Sequence, residues 1–392
     1  MIARDTAEYG KFEHFSLLGG PLHRLAERLG LVRDGTNTVA LGLVLGASLW
    51  VVLLLLALLE GVGDLVFSVP SIGAHVRLLV AIPLFFVCET FVDPRMARFV
   101  STLVHSQIVP AAALPSMEEE IARMTRWTKS GWPEMAFMLL AILSLWVGPQ
   151  LHLLGVTATY DPARAAGGAI LTGVWYWIVC MTIFRFLLLR WLWRLGLWSF
   201  FLWRVSRLEL HLAPTHPDGV GGLGYLEVVH HEFSPLVLAL SAVQAASFAE
   251  EFAAGTIAFE AIYATLGLML VVIAVLFLGP LCIFAPRLWA CRIKGRADFS
   301  VFAASYVNEF ERKWLGADHT RDTPMLGTPD LRSLADLAVS AGVVRDVRLV
   351  VVNLHLLVNI AAAAILPMVP LLLLKFPAQA LAEKLFLRLF GL

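Results

Sequence analysis

"TVALGLVLGASLWVVLLLLALLE", Thr38 to Glu60, decides the fold class. It is an apolar run of about 20 residues, the length an α-helix needs to cross ~30 Å of hydrocarbon. Comparable runs recur at about 72–92, 133–155, 168–190, 235–254, 259–285 and 349–373. About seven spans result, and the fold class is all-α: a polytopic transmembrane helical bundle with helical cytosolic extensions. The fifth run carries Gln244, Glu250 and Glu251 and is the weakest, a shorter or re-entrant segment being its alternative.

Composition agrees. The 392 residues are 59% hydrophobic and only 15% charged, and the mean hydropathy is +0.77, outside the balance of a soluble domain. Thirty basic and thirty acidic residues cancel, so no global basic field recruits nucleic acid. Cys88, Cys180, Cys282 and Cys291 stand singly in apolar or membrane-edge sequence, as buried small residues do, with neither a CxxC pair nor a clustered set.

The basic residues set an expected sidedness, because Lys and Arg stay with cytoplasmic ends. The loop "GVGDLVFSVPS" has none and "VTATYDPARAA" only Arg164. Arg95, Arg98, Arg123, Arg126 and Lys129 fill the second loop, and Arg185, Arg190, Arg194, Arg204 and Arg207 follow the fourth span. The expected organisation is a cytosolic N-terminal segment 1–37, read as retained rather than as a signal peptide, and a bundle 38–285 with cytosolic loops at 93–132 and 191–234. A cytosolic helical segment 286–348 and a last span with an amphipathic tail 349–392 follow. Lys375, Lys384 and Arg388 in that tail conflict with a C-terminus on the far side, so its side stays open.

The tract from Arg185 to Arg207 mixes five arginines with Trp191, Trp193, Trp198 and Trp203. It reads as a helix leaving the bilayer through its interface, arginine stems snorkelling to phosphates. The alternative is an anion-attracting ring at a pore mouth. Ionisable residues within apolar runs are costly in lipid and point to bundle interiors or water paths. Arg77, Glu89, Glu134, Glu250, Glu251 and Glu260 qualify by position, and Glu89, Glu250, Glu251, Arg185, Arg190 and Arg194 are the transport candidates. For Glu250 and Glu251 a water-exposed turn is the plainer reading. His355 and Asn359 share a helical face suited to an interhelical polar contact.

"APTHPDGVGGLGYLEVVHHEF", Ala213 to Phe233, is the one stretch unlike greasy helix. Gly219, Gly221 and Gly224 satisfy GxGxxG on paper, but no strand precedes them, so a dinucleotide site does not follow. With Gly222, His216 and Asp218 they are expected to form an ordered structural turn packed closely against another helix or chain. His216, Glu227, His230 and His231 form the one candidate metal set, since Glu227 and His230 make a Glu-x-x-His step on one helix face. The second such motif of a di-iron bundle is missing, so no cofactor is required and a bound transition metal is the alternative.

The segments "RWLWRLGLWSFFLWRVSRLELHLAPTHPDGVGGLGYLE" and "LRSLADLAVSAGVVRDVRLV" resemble markers of a family of uncharacterised bacterial multi-span inner-membrane proteins. The resemblance implies a multi-pass protein of the bacterial inner membrane and assigns no chemistry. The functional expectation is a channel or transporter for small ions, homo-oligomeric, with the lipid bilayer and ions as partners and no nucleic acid. A membrane metalloenzyme, or a sensor or scaffold for a protein partner, is the competing reading.

Overall fold

A computed structural model describes residues 15–17, 19, 38–151, 170–255, 259–315 and 329–371. Among them the chain is helical and has no strand. Six helices are long and apolar enough to cross a membrane: α1 (Val39–Leu59), α2 (Ile72–His105), α5 (Ile170–Arg207), α6 (Tyr225–Ala253), α7 (Tyr263–Trp314) and α9 (Leu354–Leu371). The third expected span is α4 (Trp132–Leu151), whose apolar stretch Trp132–Leu145 is shorter than the other six. Between the spans lie α3 (Leu114–Lys129) and α8 (Asp330–Arg345). The amphipathic tail, Arg164 and the Glu260 side chain lie outside the described residues.

The expected loops at 93–132 and 191–234 are largely helix. α5 has 38 residues, about 57 Å at 1.5 Å per residue, so it crosses ~30 Å of hydrocarbon and continues beyond it. The fifth run is part of one long helix, α6, with a turn at Glu232–Phe233 and Pro235 opening its second half. That helix is long and apolar enough to cross a membrane.

Lipid tails are as apolar as leucine, so close backbone approach and interhelical hydrogen bonds bind the helices. α1 meets α2 at Gly42 and Gly46, a small-xxx-small pair. A Cβ on Gly42 would stand 2.8 Å from the Phe86 Cβ, and one on Gly46 would collide with the Leu78 carbonyl. α2 also packs on α6, α6 on α9, α4 on α5, and α8 on the far half of α7. Asn353 starts α9 by accepting the Leu356 N–H at 2.6 Å, a side-chain N-cap. The core is centred on fully buried Trp198, ringed by Phe99 and Phe201 and by Phe15 from the N-terminal segment, which stacks on Phe201 at 4.8 Å.

Candidate functional site: two charged clusters inside the bundle

Along α5 the buried residues Leu187, Arg190, Trp191, Arg194, Leu195, Trp198, Phe201, Leu202 and Val205 recur every three to four positions. The same stripe on α2 carries Phe85, Glu89, Val92, Asp93, Met96 and Val100. Where the stripes face each other, Arg194 grips Glu89 with both terminal nitrogens, Nη1 at 2.9 Å and Nη2 at 3.1 Å. Arg190 donates to Glu89 at 3.2 Å and through Nε to Glu134 of α4, also at 3.2 Å. All four side chains are at most 13% exposed. The N-terminal segment closes the cluster, since Asp93 accepts the Ser16 hydroxyl at 2.7 Å and the Leu17 N–H at 2.8 Å. Two cavities of about 20 Å³ flank the arginines, one beside Glu89, Asp93 and Arg194 and one beside Glu134 and Arg190. Each is large enough for roughly one water.

Arg190 and Arg194 therefore do not snorkel outwards as expected. Carboxylates on two neighbouring helices hold them more favourably than a distant headgroup, because charges leaving water need a close opposite charge. Arg185 is likewise buried and donates to Ser144 of α4 at 3.1 Å.

A second cluster lies near the start of α2, Arg77 being about 18 Å along the helix axis from Glu89 at its middle. Arg77 is in a π-helical turn, Val76–Ala81, and Tyr176 in another, Trp175–Cys180. Such turns recur at functional positions in helices. Arg77 donates to the Tyr176 hydroxyl at 2.9 Å and to Ser247 at 3.0 Å. It also faces Glu250 at 4.0 Å, whose other oxygen accepts the Gly73 N–H at 2.7 Å. Glu250 is thus not in a water-exposed turn. Glu251 beside it is half-buried near the end of the helix.

The glycine loop is ordered and packed. Gly219, Gly221 and Gly222 have positive φ, and the Asp218 carboxylate collects the amides of Val220, Gly222 and Gly224 at 2.8–3.2 Å. His216 Nδ1 lies 2.9 Å from the same carboxylate. Burial alone would raise the Asp218 carboxyl, but these amides and His216 outweigh it and hold it below the usual range. Arg348 clamps the loop, donating its backbone N–H to the Gly219 carbonyl and its side chain to the Asp218 carbonyl and to Glu227.

The four candidate metal ligands go to separate partners. His216 faces Asp218, while Glu227 binds Arg348 and Asn353. His230 accepts from Trp198 Nε1 at 3.2 Å and meets the Phe277 carbonyl through Nδ1 at 2.6 Å. His231 stacks on His355 with ring centroids 5.3 Å apart. Among the described residues no three His, Cys, Asp or Glu side chains converge as a metal site. Asn359 donates to Ser234 and His231 of α6, so the His355/Asn359 face makes an interhelical polar contact.

The structure brings Glu89, Arg190 and Arg194 together and leaves Glu250 and Arg185 at other levels. Asp93 and Tyr176 were not singled out from sequence. Asp93 follows Glu89 by one helical turn, a spacing that could have flagged it, whereas nothing local marks Tyr176. No protein-family model, no curated protein and no solved structure matches this chain.

Proposed function

We propose that this multi-pass membrane protein is an alternating-access transporter of small ions in a bacterial inner membrane, with its N-terminus in the cytosol. The observation that carries the proposal is the pair of buried charged clusters at two levels of the bundle, Arg77–Glu250 near the start of α2 and Glu89–Arg190–Arg194–Glu134 about 18 Å further along it. Ionisable groups inside a bundle are costly and are retained along ion paths. Arginine–carboxylate pairs joining different helices can part and re-form, which makes each cluster suited to gate one end. The cavities beside the second cluster hold about one water each. An ion crossing at that level would need the helices to move, which supports a transporter over an open pore. Its sidedness rests on the basic segments from Arg95 to Lys129 and from Arg287 to Arg348.

Reconstitution into vesicles tests this directly. Wild type should move at least one of H⁺, Na⁺, K⁺ or Cl⁻ well above empty vesicles. Glu89→Gln, which leaves two guanidinium groups short of a charge, should change that rate by at least about tenfold. Arg190→Lys keeps the charge but loses the planar fork, and should have an intermediate effect. Vesicles that pass none of the four ions would overturn the proposal.

A further inference from the structure

Arg77 has Glu250, and Arg190 and Arg194 have Glu89 and Glu134. Arg185, on α5 between those two levels, is 8% exposed, and among the described residues it makes no ion pair. Its hydrogen-bond partner is the Ser144 hydroxyl, which gives its own proton to the Ala141 carbonyl at 2.7 Å. Three residues earlier on the same side of α5, the Thr182 hydroxyl is fully buried and has no hydrogen-bond partner. A guanidinium with no carboxylate partner and an unused hydroxyl thus lie one helical turn apart on α5.

An isolated charge out of water costs several kcal/mol unless an opposite charge joins it. Helical side chains lean toward the helix N-terminus, which directs Arg185 toward the level of Tyr176, between the two clusters. We propose that Arg185 and Thr182 bind a small inorganic anion of the chloride type, and that this is the ion carried between the gates. The identification of a carried ion rests on the transporter reading, but the binding site itself does not. Arg185 lies about 22 Å from the start of α5 and about 33 Å from its end. Its side chain is buried among the helices rather than displayed on the bundle surface, which favours a free anion over a lipid phosphate.

³⁵Cl NMR line broadening on the purified, detergent-solubilised chain tests binding without requiring transport. Wild type should broaden the chloride line, and bromide should reverse the effect. Arg185→Gln should weaken binding at least tenfold and Thr182→Val several-fold, while Arg185→Lys keeps part of it. Thr182→Val suits an apolar helix and guards against a folding artefact. Equal broadening by wild type, Arg185→Gln and Thr182→Val would overturn the site. Displacement of chloride by phosphatidylglycerol micelles from wild type would make a lipid headgroup the ligand and overturn the free-anion assignment. In parallel vesicles, chloride binding without flux of any ion removes the transporter reading and leaves the site. Flux with chloride binding unaffected by these variants removes the site and leaves the transporter.

Discussion

The carboxylate of Asp218 stands where a phosphate oxygen would stand in a glycine-rich nucleotide loop, because it fills the ring of amides itself. Its depressed pKa links the loop to pH. An unfolded aspartate titrates near ~3.9, so the stabilisation is present above that value and is lost as pH falls through the lower folded value. Asp218→Asn should therefore lower the melting temperature at neutral pH, and its deficit against wild type should shrink below about pH 4. A deficit unchanged with pH in thermal scans would contradict this. Gly222, at φ +101°, has Ile108 Cδ1 2.6 Å from the position of an added Cβ. Gly222→Val should cost about 1–3 kcal/mol through backbone strain. Gly196→Ala on α5, which opens onto free space, is the control and should be neutral or slightly stabilising.

At the level of elements, α5 begins by borrowing its cap from another helix. Glu60, just past the end of α1, accepts the N–H groups of Leu171 and Thr172 and the Thr172 hydroxyl. A carboxylate there satisfies orphan amides and complements the positive helix end. The Thr172 hydroxyl, followed by its amide, holds the Glu60 carboxyl below its usual range. Glu60→Gln should fray the first turn of α5, seen as faster amide hydrogen exchange at residues 171–174 with α2 unaffected. Unchanged exchange there would show that packing alone holds that end. The π turns at Val76–Ala81, Trp175–Cys180 and Ala274–Leu278 share a pattern, since each supplies a polar group to another helix: Arg77, Tyr176 and the Phe277 carbonyl.

For the whole molecule, chain connectivity places residues 60–71 and the glycine loop at opposite ends of the bundle, because α2 runs from one to the other and His211 N–H bonds to the Ile108 carbonyl beyond its end. In a background lacking exposed Cys282, a cysteine replacing Asp64 should react with an impermeant thiol reagent only from the periplasmic side. A cysteine replacing exposed Glu209, beside the loop, should react only from the cytosol. The reverse pattern would invert the proposed orientation and leave the fold untouched.

Membrane crossing was legible in residue order alone, because the length of an apolar run and the ~30 Å of hydrocarbon are both local quantities. The stripe that turns Arg190 and Arg194 inward was also present in sequence as an i, i+4 step beside Trp191 and Trp198. What no local pattern contains is which carboxylate each arginine meets. Glu89 lies 101 residues from Arg190 and Glu134 lies 56, and only the packing of α2, α4 and α5 makes them neighbours. The same packing gives Arg185 the Ser144 hydroxyl instead of a carboxylate and scatters the histidines that share one short stretch. A helix sends adjacent residues to different faces, so proximity in sequence set their spacing while the neighbouring helices chose their partners.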